Sequence, residues 1–183
     1  METKKNNKEG LIIINTGTGK GKTTAALGMA LRAAGHGQKV LILQFIKGAW
    51  KTGESKIMER LRPEIEMIQL GKGFIKIENG KLKITQKDRD DAARSFLFAR
   101  GKILNGSYDM VILDEINNLL AYGLIETGEI IRLIKERPKA LSIVLTGRGA
   151  PEELIDIADT VSEVREIKHA YSRGIMARKG IEY

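Results

Sequence analysis

The chain contains no cysteine, which excludes a disulfide scaffold, thiolate metal sites and a catalytic thiol. Its two histidines, His36 and His169, leave little for an imidazole metal cluster. Only 5% of the residues are aromatic, which is few for stacking on nucleic-acid bases. No apolar run approaches the roughly 20 residues of a membrane-spanning helix, and the polar N-terminus lacks the apolar stretch of a signal peptide. These absences predict a cytoplasmic protein.

What is present is a basic chain of ordinary domain size. Its 183 residues are 42% hydrophobic, which is enough for one domain with its own core. Lysine and arginine number 31 against 23 aspartates and glutamates, so the formal net charge is +8. This excess points to nucleic acid, an acidic membrane surface or a polyanionic small molecule. We predict a polar tail over residues 1–10 and a single domain over 11–183.

Short apolar runs alternate with segments of helical period along the chain, which predicts an α/β fold with a mostly parallel sheet of about six strands and helices on both faces. The predicted strands are 11–15, 40–45, 65–70, 110–113, 141–146 and 161–167. The predicted helices are 23–34, 54–62, 86–104, 130–136 and 151–158.

Residues 71–84 break this alternation. Apolar and charged residues alternate there on both sides of Asn79-Gly80, which predicts a hairpin insert. Thr85 and Asp88 then have the spacing of a capping interaction at the start of a helix. The closing segment 168–183 has no clear period but many apolar residues, so we expect it to lie over the domain.

A glycine-rich loop joins the first predicted strand to the first predicted helix. Its glycines let successive N–H groups turn toward one point, and the helix adds unpaired N–H groups and the positive end of its dipole. Strand, loop and helix in this order predict a phosphate-binding loop, and with it a P-loop NTPase-like (RecA-like) sheet. Thr16 stands where the usual spacing has a glycine, so the loop is a variant. The loop sequence is Thr16-Gly17-Thr18-Gly19-Lys20-Gly21-Lys22-Thr23-Thr24.

Within this loop, Lys22 is expected to contact phosphate oxygens and the Thr23 hydroxyl to ligate Mg²⁺ or Mn²⁺. The strand 110–113 ends in Asp114-Glu115, and adjacent carboxylates at the carboxyl edge of the sheet can bind the same ion or its waters. Asp114 taken alone could instead cap a helix. Arg148, between two glycines, is the candidate for contacting reacting phosphates. Together these motifs predict nucleotide binding without saying which bond is broken.

On these motifs and their order the sequence resembles the P-loop type of ATP:corrinoid (cob(I)alamin) adenosyltransferase, in which the variant loop is itself a family feature. The resemblance runs from residue 10 to the last residue, except for a poor fit over 71–91. The stretches that carry it are 10–28, 44–48, 113–115, 145–151, 158–163, 168–171 and 180–183.

The resemblance implies transfer of the 5′-deoxyadenosyl group of ATP to the cobalt(I) of a corrinoid such as cobalamin or cobinamide, with release of triphosphate, in adenosylcobalamin synthesis or salvage. Cobalt is then the nucleophile, which suits a chain without cysteine. The alternative is a P-loop ATPase or kinase that transfers a phosphoryl group. A nucleic-acid-stimulated ATPase is less favoured, because the chain is short and poor in aromatic residues.

The resemblance also assigns residues. It implies catalytic contacts by Lys22, Glu115 and Arg148, and metal ligands Thr23, Glu115 and Asp114. Arg32 matches a family arginine near the nucleotide, although it can equally be a solvated helix residue. The nucleotide set is Thr16, Gly17, Thr18, Gly19, Lys20, Gly21, Lys22, Thr23, Thr24 and Arg32.

On the corrinoid side, the resemblance implies contacts from Phe74, Lys76, Arg89, Asn117 and Arg148. Family members displace the lower ligand of cobalt with aromatic side chains, and Phe74 matches one of them. Lys76 stands where the family has a tryptophan, so the corrinoid side departs from the pattern.

The resemblance further implies a homodimer and a flavoprotein or other reductase that supplies cobalt(I). Residues 71–89 carry six basic and two acidic side chains, and 165–183 carry five and two. We attribute this basic excess to the phosphates of ATP and to an acidic reductase surface, and expect no nucleic-acid or membrane partner.

Overall fold

A computed structural model describes residues 9–46, 48, 52–71, 73, 77–78 and 81–181. The helices are α1 (Lys22–Gly35), α2 (Gly53–Arg60), α3 (Gln86–Leu104), α4 (Ile116–Ala121), α5 (Thr127–Glu136) and α6 (Glu152–Ile155), with a 3-10 turn at Tyr171–Arg173. The strands are β1 (Ile12–Thr16), β2 (Val40–Gln44), β3 (Ile65–Gln69), β4 (Ile77–Glu78), β5 (Lys81–Leu82), β6 (Met110–Asp114), β7 (Ser142–Thr146) and β8 (Thr160–Glu163).

Six strands form one parallel sheet in the order β3-β2-β6-β7-β1-β8. The predicted fold class is confirmed, because every strand pair in this sheet is parallel and helices connect the strands. Residues 40–44 and 111–114 are buried without a break, as expected for strands covered on both faces. The carboxyl ends of β1, β2, β6 and β7 therefore share one edge, where the candidate site residues lie.

Alternation along the strands divides the core into two layers. Leu41, Leu43, Val111 and Leu113 pack in the layer that contains residues of α3, α4, α5 and α6. Ile42 and Ile112 pack in the other layer, with the buried alanines of α1 and with Met58 of α2. The helices thus cover both faces, as the sequence predicted. Phe45, just beyond β2, is a core residue at 5% exposure.

The structure differs from the predicted elements at three places: the start of α5, the length of β8 and the presence of α4. Helix α5 begins at Thr127, three residues before the predicted start of its apolar period. The prediction of a last strand over 161–167 was wrong in length, because β8 covers only Thr160–Glu163 and the chain then follows the glycine-rich loop. Helix α4 was missed, since it has only six residues and its second and third residues are the weak helix formers Asn117 and Asn118.

The predicted capping interaction at α3 is confirmed. The Thr85 hydroxyl accepts a hydrogen bond from the Asp88 N–H at 3.3 Å, and the Asp88 carboxylate accepts one from the Thr85 N–H at 2.7 Å. In the preceding segment, β4 and β5 pair antiparallel, with Ile77 opposite Leu82. The Asn79-Gly80 turn predicted between them lies outside the described residues, as does the tail over 1–8.

The closing segment carries exposed apolar side chains. Ile167 and Ile181 are each 78% exposed and Met176 is 70% exposed. That the closing segment lies over the domain stays a prediction. These three side chains are not buried against the described residues of the chain. Within the part of the chain that the structure describes, every helix is too short or too polar to span a bilayer.

Candidate active site

The glycine-rich loop is held against the chain that follows β8. The Val164 N–H donates to the Thr16 carbonyl at 2.9 Å, and the Gly19 N–H donates to the Val164 carbonyl at 2.7 Å. A Cβ on Gly17 would lie 2.5 Å from the Val164 oxygen, and one on Gly19 would lie 2.8 Å from the Arg165 carbonyl carbon. These two glycines therefore allow a close backbone approach in addition to shaping the loop.

The threonines of the loop also have structural partners. The Thr16 hydroxyl accepts a hydrogen bond from the Ala150 N–H at 3.3 Å, so the residue that makes this loop a variant ties it to the turn after β7. The Thr18 hydroxyl accepts one from the Glu166 N–H at 3.4 Å. These hydrogen bonds hold the loop to the turn after β7 and to the chain after β8.

Lys22 is the first residue of α1 and is only 8% exposed. Its Nζ donates to the Gly19 carbonyl at 2.6 Å, which folds the side chain back over the loop. Burial lowers the pKa of Lys22, the Glu115 carboxylate opposes this shift, and the positive charge of Arg148 adds to it. These electrostatic influences show that the structure brings the three predicted catalytic residues near one another.

Asp114, at the end of β6, is 1% exposed and is the centre of a buried hydrogen-bond network. Its Oδ1 accepts from the hydroxyls of Thr23 at 2.8 Å and Thr146 at 2.7 Å. Its Oδ2 accepts from Gln44 Nε2 at 3.0 Å, and Gln44 Oε1 accepts from Gln69 Nε2 at 3.3 Å. A carboxylate buried in this way orients the Thr23 hydroxyl, as groups that hydrogen-bond metal ligands do. The assignment of Asp114 as a metal ligand stays a prediction.

Glu115 is the one non-glycine residue with a positive φ, 67°, within the described part of the chain. Its N–H donates to the Thr146 hydroxyl at 2.9 Å, and its Oε2 accepts from Asn118 Nδ2 at 2.5 Å. Left-handed backbone in a residue with a Cβ is uncommon and clusters at functional sites. The conformation turns the chain sharply from β6 into α4, with Glu115 partly exposed at the sheet edge.

The donor set fits Mg²⁺. A threonine hydroxyl and carboxylates are hard oxygen ligands, and Mg²⁺ in nucleotide sites is held by one or two such groups together with phosphate oxygens. Among the described residues no group of three or more His, Cys, Asp or Glu side chains could hold a metal ion.

Four further predicted site residues are not seen at the glycine-rich loop in the described part of the chain. Arg32 is exposed in the last turn of α1, about 15 Å along the helix axis from Lys22, so the structure does not bring it to the loop. Arg89 is exposed and its guanidinium donates to the Gly123 carbonyl at 3.1 Å, which ties α3 to the end of α4. Phe74 and Lys76 lie outside the described residues.

Asn117 is fully buried in α4, and neither its Oδ1 nor its Nδ2 has a hydrogen-bond partner. Its Cβ lies 3.1 Å from where a Cβ on Gly147 would be. It is thus beneath the Arg148 turn, and direct contact with a large corrinoid would require that turn to move. Its assignment to the corrinoid side stays a prediction.

Thr146 and Asn118 were not predicted as site residues, and Asp114 was not predicted as the partner of Gln44. The sequence placed Gln44 at the active edge, but its pairing with Asp114 depends on β2 lying beside β6. A polar residue that ends an apolar strand, as Thr146 and Gln44 do, is the signal that points to such a network.

Comparison with protein-family models matches residues 8–183 to the family described as ATP:corrinoid adenosyltransferase BtuR/CobO/CobP. The chain is 39% identical over 178 residues to a corrinoid adenosyltransferase of Escherichia coli K12, covering 96% of this chain and 87% of that protein. The corrinoid adenosyltransferase CobA of Salmonella typhimurium gives the same values. A corrinoid adenosyltransferase of a Sinorhizobium species is 40% identical, with 98% and 83% coverage.

Among solved structures, a KaiC-like protein of Pyrococcus horikoshii matches with a TM-score of 0.52 and 16% identity. The match covers 88% of this chain and 76% of that one. At this identity the likeness concerns the fold alone, and it agrees with the predicted P-loop sheet.

Proposed function

This chain belongs to the ATP:corrinoid adenosyltransferase BtuR/CobO/CobP family, and we propose that it transfers the 5′-deoxyadenosyl group of ATP to the cobalt(I) of a corrinoid. The observation that carries the proposal is the phosphate loop fixed opposite Asp114-Glu115 in a chain that matches the family over residues 8–183. The fold alone fits many reactions, so the family match decides among them.

In this reaction cobalt(I) donates an electron pair to C5′ of ATP, and a cobalt–carbon bond forms. The C5′–O bond breaks, its electron pair leaves with triphosphate, and cobalt becomes formally cobalt(III). No protein nucleophile is needed. The residues of the chain therefore bind the triphosphate, offset its charge and hold C5′ in line with cobalt.

Lys22 and the loop N–H groups supply positive charge to the phosphates, and Arg148, in the turn after β7, is close enough for its charge to act on Lys22. Lys22 is desolvated, so its charge acts more strongly on a phosphate than a solvated lysine would. We propose that Thr23 and Glu115 hold Mg²⁺ or Mn²⁺, which offsets charge on the phosphates when bound. Asp114 keeps the Thr23 hydroxyl in place.

On the corrinoid side we propose that Phe74 covers the lower face of the corrin, with Lys76, Arg89 and Asn117 near it. This proposal rests on the resemblance of the sequence around Phe74. Adenosylation that starts from cobalt(II) with a reducing system tests it, because Phe74→Ala should slow this reaction and spare the reaction that starts from chemically reduced cobalt(I). Equal rates for the variant and the unaltered chain in both assays would contradict it.

We also propose that the protein is a cytoplasmic homodimer served by a reductase with an acidic surface. The basic side chains at 165, 168, 173, 178 and 179 support an electrostatic contact. Sedimentation gives the oligomeric state, and a monomer would contradict the first part. Electron delivery by a flavoprotein should slow as salt rises, and salt-independent delivery would contradict the second.

Phosphoryl transfer is the alternative reaction at such a loop, and the products separate the two. Attack at C5′ releases triphosphate, whereas attack at phosphorus releases ADP and phosphate. Ion-exchange analysis of the nucleotide products formed with reduced cobalamin should show triphosphate. ADP formation that does not depend on the corrinoid would favour the ATPase or kinase.

A further inference from the structure

Asn118 joins two parts of the site that are far apart in sequence. Its Nδ2 donates to Glu115 Oε2 at 2.5 Å, and its Oδ1 accepts from the Arg148 N–H at 2.5 Å. An amide is one of the few side chains that can donate at one end and accept at the other in a fixed plane. Asn118 therefore connects the carboxylate after β6 to the turn after β7.

Glu115 needs such a partner because its backbone is not in a relaxed conformation. A positive φ in a residue with a Cβ is strained and persists only where neighbours fix it. The Thr146 hydroxyl fixes the Glu115 N–H, but that contact does not direct the carboxylate. Asn118 Nδ2 donates to the carboxylate itself, and it orients one of the two oxygens.

The turn that contains Arg148 packs against the side-chain amide of Asn118 as well. Gly147 has a φ of 127°, and a Cβ there would lie 2.8 Å from Asn118 Oδ1 and 3.0 Å from the Asn118 nitrogen. The absence of a side chain at Gly147 lets the turn approach α4 closely enough for the Arg148 N–H to reach Asn118. The position of the Arg148 backbone thus depends on the same side chain as the direction of the Glu115 carboxylate.

We propose that Asn118 is a positioning residue that fixes the Glu115 carboxylate and the Arg148 turn relative to each other before nucleotide and metal bind. The proposal rests on the proposed function, in which Glu115 is a metal ligand and Arg148 faces the phosphates. Asn118 does not touch the phosphates in this proposal. It acts through Glu115, as residues that hydrogen-bond metal ligands do in other sites.

The test uses the full chain with Asn118→Leu, which keeps a similar volume and removes both hydrogen bonds. Asn118→Ser is the second variant, because it is small and polar but too short to reach Glu115. Asn105→Ala is the matched control, since the Asn105 side chain accepts a local hydrogen bond from the Ser107 N–H in an exposed turn. Two affinities are measured for each: Mn²⁺ in the presence of ATP by electron paramagnetic resonance, and ATP in EDTA by calorimetry.

Removing a residue that orients a metal ligand typically weakens metal affinity about 10–100-fold. We expect a loss in that range for Mn²⁺ with both Asn118 variants, with ATP affinity in EDTA changed less than threefold and the Asn105→Ala protein unchanged. Unchanged Mn²⁺ affinity would overturn the proposal. Equal losses of ATP and Mn²⁺ affinity, or failure of both variants to fold, would also overturn it by assigning Asn118 a purely structural role.

These readouts do not depend on corrinoid chemistry. If the unaltered chain binds Mn²⁺ with ATP but forms no alkylated corrinoid, the proposed function fails and the Asn118 proposal is still tested. If the unaltered chain binds no Mn²⁺ in the presence of ATP, the metal site fails and the Asn118 proposal fails with it.

Discussion

The hydroxyl of Thr23 donates a hydrogen bond to Oδ1 of Asp114 across 2.8 Å, although 91 positions separate the two residues in the chain. This contact joins the first turn of α1 to the end of β6. Because Asp114 is almost completely buried, its carboxylate can direct the threonine hydroxyl without competition from water. The phosphate loop and the acidic strand end are therefore one structural unit.

Replacement of Asp114 by alanine should damage both stability and ligand binding. It leaves the Thr23 and Thr146 hydroxyls and the Gln44 amide without their acceptor, and loss of buried hydrogen bonds to a charged group costs roughly 2 kcal/mol or more. Urea unfolding measures this cost, and Mg²⁺-dependent ATP binding should weaken with it. Asp156→Ala, at an exposed position, is the control. Equal unfolding free energies for the two variants would contradict the network.

Two glycines in neighbouring elements should respond in opposite ways to alanine. At Gly19 a Cβ would meet the backbone of Arg165 at 2.8 Å, so Gly19→Ala should displace the loop and weaken ATP binding at least tenfold. At Gly28, within α1, a Cβ would meet nothing within 4 Å. Gly28→Ala should leave ATP binding intact and stabilise the fold by about 0.5–1 kcal/mol, since alanine is the better helix former. Calorimetry and thermal unfolding of both variants check this, and normal ATP affinity in Gly19→Ala would disprove the close approach.

The backbone of Glu115 predicts an unusual order of stability. Glu115→Gly and Glu115→Ala both remove the carboxylate, so both should abolish metal-dependent transfer. The glycine variant accepts the positive φ at little cost, whereas alanine does not, so the glycine variant should be more stable by about 1 kcal/mol. Denaturant unfolding of the two proteins measures the difference. A more stable alanine variant would mean that residue 115 does not have this conformation in solution.

The capping box of α3 gives a pH-dependent stability. Hydrogen bonds from the Thr85 hydroxyl and N–H lower the pKa of Asp88 below its ordinary value of 3.8. A carboxylate with a lowered folded-state pKa stabilises the fold above its unfolded-state pKa, and this contribution is lost as the pH falls through the folded-state value. Asp88→Asn should therefore be less stable than the unaltered chain at pH 7, by several tenths of a kcal/mol, and the difference should disappear as the pH falls through the lowered pKa of Asp88. A difference that does not change with pH would exclude this capping contribution.

Local patterns were enough to predict the fold class, the phosphate loop and the α3 cap. Each depends on residues close together in sequence: the glycines before Lys22-Thr23, or the spacing of Thr85 and Asp88. The short helix α4 was missed because adjacent asparagines weaken the local helical signal, and its formation depends on burial of Ile116 and Leu120. The length of β8 was overestimated because the chain after Glu163 bonds to the glycine-rich loop and does not continue the strand.

The network around Asp114 could not be predicted, because it depends on strand order. Gln44 reaches Asp114 only since β2 lies beside β6 in a register that places the two residues opposite each other. Thr146 reaches both Asp114 and the Glu115 N–H because β7 lies on the other side of β6. Asn118 acquires its two partners from the sharp turn at Glu115. These contacts depend on the tertiary structure, whereas the sequence shows only which residues are available to make them.

Adenosyl transfer itself is tested most directly by incubating the protein anaerobically with Mg-ATP and chemically reduced cobalamin. The corrinoid spectrum reports the cobalt–carbon bond, and triphosphate is assayed in the same samples. We predict one triphosphate per alkylated corrinoid for the unaltered chain and neither product for Lys22→Ala, which lacks the buried phosphate-binding charge. Hydrolysis of ATP to ADP and phosphate with no change in the corrinoid spectrum would contradict the account.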